Sequence, residues 1–345
     1  MSAAPPDLVV RRPEGLYCAA GDFYIDPWRP VDRALITHGH GDHARSGSRA
    51  YLAVPESEGI LRTRLGAQVP LQTLPYGQRL RVGEADVSFH PAGHVLGSAQ
   101  IRIAARGQVM VVSGDYKVEP DATCAPFEPV ACDTFVTEST FGLPIYRWQP
   151  HGELFAEIDA WWAANAAANR ASVLFCYAFG KAQRILAGVD ASIGPIVCHG
   201  AVEPLNRAYR DAGVPLPPAA RVSDVTDKTV FRRALVLAPP SAAASTWMRR
   251  FGDYSDAFAS GWMRLRGARR RRAVDRGFVL SDHADWPGLQ RAIRESGAQR
   301  VIVTHGYEAT MVRWLRENGL DADAFQTEYG GEDDATAGRT DLPDA

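Results

Sequence analysis

Residues 34–43 read ALITHGHGDH, an apolar run that ends in three histidines and one aspartate. The run Ala34 to Ile36 is typical of a buried strand, and the glycines that follow favour a tight turn. Imidazole nitrogens and carboxylate oxygens are ligands for divalent metal ions, and here they crowd onto one turn. The spacing H-x-H-x-D-H therefore predicts a metal site, the alternative being a polar, glycine-rich loop. The candidate ligands are His38, His40, Asp42 and His43.

The chain length and composition are those of a globular protein with one large or two medium domains. Of its 345 residues, 46% are hydrophobic and 23% charged. No apolar run is long enough to span a bilayer and the N-terminus lacks the features of an export signal, so we expect a cytoplasmic protein without a membrane partner. The five cysteines form no C-x-x-C pair, which favours reduced thiols over disulfides or a thiolate metal site.

Charge is distributed unevenly along the chain. Residues 328–345 contain six acids and one arginine, and this polar, glycine-rich segment is predicted to be a disordered acidic tail. Residues 264–272 contain six arginines, a concentration that suits an anionic partner. A solvated loop or a protein docking site is the alternative for this arginine run.

Apolar strands end repeatedly in polar side chains. Residues 109–112 form a buried strand that leads to Asp115, and residues 135–137 lead to Glu138. Two later strands, residues 277–280 and 300–304, precede histidines in the same way. Strand ends are where sheet enzymes assemble their sites. The histidines concerned are His283 and His305.

These residues form a pattern that a site with two metal ions requires. One ion would take three histidines, the other an aspartate and two histidines, and a second aspartate would bridge them. Two ions ~3.5 to 4 Å apart activate water and stabilise both oxygens of an in-line displacement. Taken singly, a histidine in a turn or at a strand end is more often structural. The two sets are His38, His40 and His94, and Asp42, His43 and His305, with Asp115 as the bridge.

The order of these motifs resembles the metallo-β-lactamase superfamily. The resemblance implies an α/β fold, an αββα sandwich of two packed sheets with two divalent metal ions at one edge. Zinc is the ion we expect, and manganese is the alternative. Asp26, after residues 23–25, resembles the early aspartate of the superfamily, which would support the histidine loop without binding metal.

Three further motifs resemble the β-CASP nuclease branch. Residues 137–142 read TESTFG and resemble its motif A, residues 281–285 read SDHAD and resemble motif B, and residues 304–306 read THG and resemble motif C. The branch inserts a small α/β domain between motifs A and B. The implied domains are residues 1–149 and 278–327 for the metallo-β-lactamase domain, residues 150–277 for the inserted domain, and residues 328–345 for the tail.

Within this branch, residues 113–120, residues 142–148 and the arginine run look most like bacterial DNA-ligase-associated exonucleases. That likeness implies a two-metal DNA exonuclease acting in repair on single strands or duplex ends, with an ATP-dependent DNA ligase and a helicase as partners. An RNA-processing ribonuclease of the same fold is the nearest alternative. A small-molecule metallo-hydrolase would not explain Glu138, His283 or the arginines. A catalytically silent ligase scaffold is disfavoured by the complete ligand set.

Side-chain chemistry suggests roles beyond metal binding, and the resemblance suggests Glu138 for one of them; a structural histidine, a buried ion-pair acid and a solvated helix face are the alternatives. His283 is the candidate general acid and Glu138 its carboxylate partner, with Asp42 and Asp115 completing the catalytic set. A cation-rich helix start and nearby serines form a candidate phosphate pocket, and the arginine run a candidate track for nucleic acid. The predicted nucleic-acid contacts are Lys181, Arg184, Ser241, Ser245, Arg264, Arg266, Arg269, Arg270, Arg271 and Arg272.

Overall fold

The structure, a computed structural model, describes residues 7–243 and 245–329, without the side chains of Ala268 and Arg269. The chain folds into two compact units. The first unit contains residues 7–145 and 283–329, and the second contains residues 146–282. None of the helices in the described ranges combines the length and the apolar character needed to cross a bilayer.

The secondary structure is numbered in chain order. The strands are β1 (Val9–Arg12), β2 (Gly15–Cys18), β3 (Phe23–Ile25), β4 (Ala34–Leu35), β5 (Tyr51–Ala53), β6 (Leu71–Thr73), β7 (Leu80–Val82), β8 (Ala85–Pro91), β9 (Ala99–Ala105), β10 (Gln108–Val112), β11 (Thr134–Ser139), β12 (Ala171–Phe175), β13 (Ile196–Cys198), β14 (Ala220–Arg221), β15 (Leu235–Ala238), β16 (Tyr254–Ala259), β17 (Arg276–Phe278), β18 (Arg300–Gly306) and β19 (Asp321–Ala324). The helices are α1 (Glu58–Leu65), α2 (His151–Ala167), α3 (Lys181–Gly188), α4 (Glu203–Asp211), α5 (Arg266–Arg272), α6 (Trp286–Ser296) and α7 (Glu308–Glu317).

The first unit contains two mixed sheets. One has the order β1-β2-β3-β4-β5-β6, in which the strands from β3 onwards run parallel to one another. The other has the order β19-β18-β11-β10-β9-β8-β7, with a parallel half from β19 to β10 and an antiparallel half beyond it. Parallel neighbours bring their carboxyl ends to the same edge of a sheet, where side chains from different strands can meet.

Alternating side chains divide the second sheet between two hydrophobic clusters. Met110 and Val112 of β10 belong to a cluster that also contains Phe23 and Ile25 of the first sheet. Val111, which points to the opposite face, packs with α6 and α7. This alternation is expected when both faces of a sheet are buried. On the first sheet, β4 and β5 share a smaller cluster with α1.

The second unit is built on one parallel sheet with the order β14-β13-β15-β12-β16-β17. Its central strands β12 and β15 are buried along their whole length, as their continuous apolar sequences predict. Crossover helices connect parallel strands, and here α3 lies between β12 and β13, and α4 between β13 and β14.

The strands that carry the motifs A and C approach each other closely. β11 and β18 pair in parallel, and Ser139 lies opposite Gly306 after a register shift. Gly306 has φ +92°, and a Cβ atom there would lie 2.3 Å from the Ser139 backbone. Only glycine fits this approach, which keeps the carboxyl ends of the two strands together.

The prediction of a disordered tail from residue 328 is wrong for its first two residues. Glu328 forms an ion pair of 3.1 Å with Arg29, and the Tyr329 hydroxyl donates to the Asp26 carbonyl at 3.2 Å. The acidic composition of the segment could not predict these contacts, because they involve Arg29 and Asp26 near the other end of the sequence. Residues 330–345 lie outside the described ranges.

Candidate metal centre

Asp115 lies at the centre of a cluster of buried histidines. Its Oδ2 atom is 3.4 Å from His38 Nε2 and 3.5 Å from His43 Nε2. The same Oδ2 is 3.8 Å from His94 Nε2, while Oδ1 is 3.1 Å from His305 Nε2. One carboxylate therefore faces four imidazoles from three segments of the chain.

The donor atoms of these side chains form overlapping groups that could each hold a cation. In every group, the donor atoms lie within 4.8 Å of one another, and Asp115 belongs to all of them. The groups are His38, His40, His94 and Asp115; His43, Asp115 and His305; and Asp115, Glu138 and His283. The shared carboxylate is the arrangement expected of a residue that bridges two metal ions.

Asp42, the remaining predicted ligand, lies at the margin of this cluster. Its Oδ2 atom is 3.8 Å from His43 Nε2, and its side chain is 22% exposed, whereas the Asp115 side chain is 6% exposed. Asp42 belongs to none of the groups above. It is the carboxylate of the cluster that solvent reaches most readily.

Several donor atoms of the cluster are buried without a hydrogen bond among the described residues. They are the Nε2 atoms of His38, His43 and His305 and the Oδ1 atom of Asp115. A buried polar atom without a hydrogen bond costs ~1–3 kcal/mol, so a protein rarely gathers several of them around one carboxylate without a ligand. Nitrogen and oxygen donors that face one another in a water-poor site fit divalent cations of the zinc or manganese type.

Hydrogen bonds fix the other ring nitrogens of three histidines. Asp26 Oδ2 lies 2.8 Å from His43 Nδ1, Thr37 Oγ1 lies 3.1 Å from His38 Nδ1, and Thr304 Oγ1 lies 2.9 Å from His305 Nδ1. Such partners orient an imidazole so that Nε2 points to the metal. Asp26 is also bound to the Thr37 amide at 2.8 Å, which ties it to the histidine loop.

Burial and neighbouring charges shift the pKa values of the clustered side chains in different directions. Burial lowers the pKa of His43, but Asp115, Asp42 and Asp26 together raise that pKa to about 10. Burial and the charge on His43 hold the pKa of His38 well below its usual range. Burial raises the pKa of Asp115, but the charges on His43 and His283 reverse this and hold that pKa well below the usual range. His43 must therefore release a proton to serve as a ligand.

Glu138 and His283 form a buried pair beside the cluster. His283 Nδ1 lies 3.0 Å from Glu138 Oε1 and 2.9 Å from Oε2, and Oε1 also accepts the Tyr116 amide at 2.8 Å. The rings of His283 and His94 have centroids 4.7 Å apart. The pair is thus held next to Asp115 by backbone and by ring contact.

The structure corrects two of the predicted nucleic-acid contacts. Lys181 and Arg184 are 0% and 2% exposed. Their cations lie 3.6 Å and 3.1 Å from the Asp282 carboxylate, and Arg184 also donates to the Ser281 carbonyl at 2.7 Å. The sequence showed a cationic helix start, but it did not show that an acid far along the chain would pair with it. These side chains support the backbone of motif B and do not form a solvent-facing phosphate pocket.

The other predicted contacts lie at the surface of the second unit. Ser241 and Ser245 are exposed, and Ser245 caps a short 3-10 helix by accepting the Trp247 amide at 3.3 Å. The arginine run forms the end of another 3-10 helix and α5. Arg264, Arg266, Arg270 and Arg271 are exposed, Arg272 is half-buried over the Phe258 ring, and the Arg269 side chain lies outside the described residues.

Sequence reasoning missed two residues that contact the histidine loop. A Cβ atom on Gly41 would lie 2.8 Å from Arg64 Nη2, so the Arg64 guanidinium packs against the loop beside Asp42. The described residues give Arg64 no hydrogen bond or ion pair. The other residue is Tyr329, whose ring stacks on His43. Neither lies in a motif, and their contacts arise only from the fold.

Comparisons with known proteins place this site in a family. No family model matches the chain. A probable DNA ligase from Opitutus terrae is 30% identical over 316 residues, which cover 91% of this chain and 30% of that protein. A ribonuclease from Thermus thermophilus is 31% identical over 147 residues, which cover 35% of this chain and 34% of that protein. The chain thus spans about a third of the length of these relatives.

A solved structure shares the fold. It is a protein of unknown function from Enterococcus faecalis, with a TM-score of 0.56, 13% identity and coverage of 86% of this chain and 80% of that one. The relatives and the order of the motifs agree. The chain belongs to the β-CASP nuclease branch of the metallo-β-lactamase superfamily. The mixed α/β architecture with several sheets is consistent with the α/β fold of this family.

Removing the shared carboxylate should release metal from this β-CASP protein. Asp115→Asn keeps the volume of the side chain but loses the charge that faces the histidines. We expect metal content, measured by plasma mass spectrometry after dialysis, to fall from about two ions per chain to less than one. His90→Ala is the matched control, because His90 binds Glu128 at 3.0 Å outside the cluster. Full metal content in Asp115→Asn would contradict the assignment.

Proposed function

We propose that this chain is a two-metal DNA exonuclease that hydrolyses phosphodiester bonds. The observation that carries the proposal is the position of Asp115, shared between two histidine groups and adjacent to the Glu138–His283 pair. A small-molecule hydrolase needs Asp115 and the two histidine groups, but it has no use for the Glu138–His283 pair.

The two metal ions would be held on either side of Asp115. Divalent ions bound there would supply Lewis acidity and positive charge at the scissile phosphate. We assign one ion to the first histidine group and the other to the second, with Asp42 as an additional ligand of the second. The assigned ligands are His38, His40, His94, Asp42, His43, His305 and the bridging Asp115.

His283 is the proposed general acid. Its Nδ1 faces the Glu138 carboxylate at 2.9 Å, which stabilises the protonated ring and fixes its orientation. Nε2 is then the ring nitrogen that can pass a proton to the leaving oxygen of the cleaved bond. Glu138 itself is 0% exposed and is held by the Tyr116 amide, so it acts by positioning His283.

The second unit would contribute substrate binding. We propose that residues 146–282 are the inserted domain of the branch and that the two sheets of the first unit, with α1 on one side and α6 and α7 on the other, form the αββα sandwich. The shared hydrophobic cluster between the sheets supports this arrangement. The exposed side chains proposed to contact the nucleic-acid backbone are Arg264, Arg266, Arg270, Arg271, Ser241 and Ser245.

DNA is the proposed substrate because one relative of this chain is named as a DNA ligase. A protein named as a probable DNA ligase contains a segment that is 30% identical to 91% of this chain. A nuclease that acts beside a ligase would trim DNA ends before they are joined. We therefore propose a repair role with an ATP-dependent DNA ligase, and a helicase as a further partner.

A ribonuclease is the second candidate. The Thermus thermophilus relative is named a ribonuclease and matches 147 residues of this chain at 31% identity. The chemistry proposed for the site acts on the phosphodiester and would serve either sugar. The substrate must therefore be decided by experiment.

End-labelled DNA and RNA oligonucleotides of the same sequence test both candidates. With Zn²⁺ or Mn²⁺, the purified chain should shorten DNA stepwise from an end and spare RNA. Labels at the 5′ and the 3′ ends also give the direction. His283→Ala should lower kcat for DNA by ~10²–10⁴-fold, the usual contribution of a general acid, with little change in KM. Faster cleavage of RNA would favour the ribonuclease, and no cleavage of either would reject both.

Arg64 should contribute a phosphate contact at the rim of the site. Its guanidinium packs against Gly41, beside Asp42, and is exposed without an ion pair among the described residues. We expect Arg64→Ala to raise KM for DNA about tenfold, since a hydrogen bond to a charged group contributes ~1.5–3 kcal/mol. The salt dependence of binding should lose about one unit of slope.

Arg62→Ala is the matched control for Arg64. Arg62 lies on the same helix, but it pairs with Glu58 at 2.8 Å and donates to the Ala67 carbonyl at 2.8 Å. Its removal should leave KM and the salt slope unchanged. An equal effect of the two substitutions would show that only the general charge of α1 matters. An effect of Arg64→Ala on kcat alone would assign Arg64 to Asp42 and not to the substrate.

A further inference from the structure

The end of the described chain returns to the metal centre. After β19, residues 325–329 run beside β18 and are here named the C-terminal clasp. The Phe325 amide donates to the Val303 carbonyl at 2.8 Å, and the Thr327 hydroxyl donates to the Thr304 carbonyl at 2.7 Å. These bonds hold the clasp against the strand that carries His305.

The clasp is also attached to the segments around the histidine loop. Arg45, two residues after His43, donates to the Glu328 carbonyl at 3.2 Å. Arg29 forms an ion pair of 3.1 Å with the Glu328 carboxylate. The clasp therefore connects the loop of the first sheet to a strand of the second.

Tyr329, the last residue of the clasp, contacts both His43, an assigned ligand, and Asp26, the residue that supports it. Its ring stacks on His43 with centroids 4.4 Å apart and an angle of 13° between the planes. Its hydroxyl lies 3.2 Å from the Asp26 carbonyl and 3.4 Å from the Ile25 carbonyl. The Asp26 carboxylate in turn contacts His43 Nδ1. Tyr329 therefore contacts both members of the Asp26–His43 pair, His43 through its ring and Asp26 through its backbone.

The Asp26 backbone needs such support. Asp26 has φ +42°, a left-handed conformation that disfavours residues other than glycine. The Tyr329 ring is also near His305, with centroids 5.7 Å apart.

We propose that Tyr329 is a positioning residue of the metal centre, which sets the plane of the His43 ring and thereby the affinity of the site for its second metal ion. The inference rests on the proposed role of His43 as a ligand. Tyr329 touches neither substrate nor reacting atoms. It acts through His43, on whose ring face it stacks, and through the Asp26 backbone.

Zinc affinity of the full-length protein tests this role without nucleic acid. Metal-free protein competes with a chromophoric chelator for Zn²⁺. Tyr329→Leu removes the stack and the hydroxyl, and should weaken the second site ~10–100-fold, the usual effect of losing an orienting partner of a ligand. Tyr329→Phe keeps the stack and should show a smaller loss. Gln326→Ala is the control, since that side chain is exposed in the same clasp and should leave the affinity unchanged.

Activity measurements separate positioning from general damage. For Tyr329→Leu, added Zn²⁺ should restore kcat while KM for DNA stays at the wild-type value. Wild-type zinc affinity in both Tyr329 variants would overturn the inference and leave the proposed function intact. If the wild-type chain binds no zinc or manganese at all, the proposed function fails first. Thermal unfolding of the metal-free variants identifies any loss of fold, and Tyr329→Phe then decides.

Discussion

The structure depends on one buried carboxylate. Asp115, itself buried, faces four imidazoles at 3.1 to 3.8 Å, and several of the facing atoms have no hydrogen bond among the described residues. Such an arrangement is unfavourable for the protein alone, since buried polar and charged groups need partners. It becomes favourable when cations occupy the space between the donors. The cost in the metal-free protein and the function in the metal-bound protein thus have the same origin.

The strands around Asp115 bring distant segments of the chain to one edge of the two sheets of the first unit. The parallel ends of β10, β11 and β18 deliver Asp115, Glu138 and His305, while β3 and β4 of the other sheet deliver Asp26 and the histidine loop. The hydrophobic cluster shared by the sheets fixes these ends relative to one another. The Asp26 carboxylate contacts His43 Nδ1, and the Tyr329 ring stacks on the face of the same imidazole. The Glu138–His283 pair, beside these ligands, has its own backbone anchor at Tyr116.

The sequence predicts best what local pattern determines. The motif residues at strand ends do meet around Asp115. Contacts between distant segments that lie outside the motifs were not predictable. Lys181 and Arg184 look like surface cations until the fold brings Asp282 to them. The helices α1 and α5 were also missed: α1 buries only Ile60 and Leu61, and α5 consists almost entirely of arginine, which reads as a charged loop although arginine favours helix.

In the proposed function, the metal centre would supply hydrolytic power, and substrate choice would depend on other groups, among them Arg64. The central claim is the pair of metal ions joined by Asp115. Anomalous diffraction from a crystal grown with Mn²⁺, recorded on both sides of the manganese edge, tests it most directly. The account predicts two anomalous peaks flanking the Asp115 carboxylate, one beside His38, His40 and His94 and the other beside His43 and His305. A single peak, or peaks away from Asp115, would contradict it.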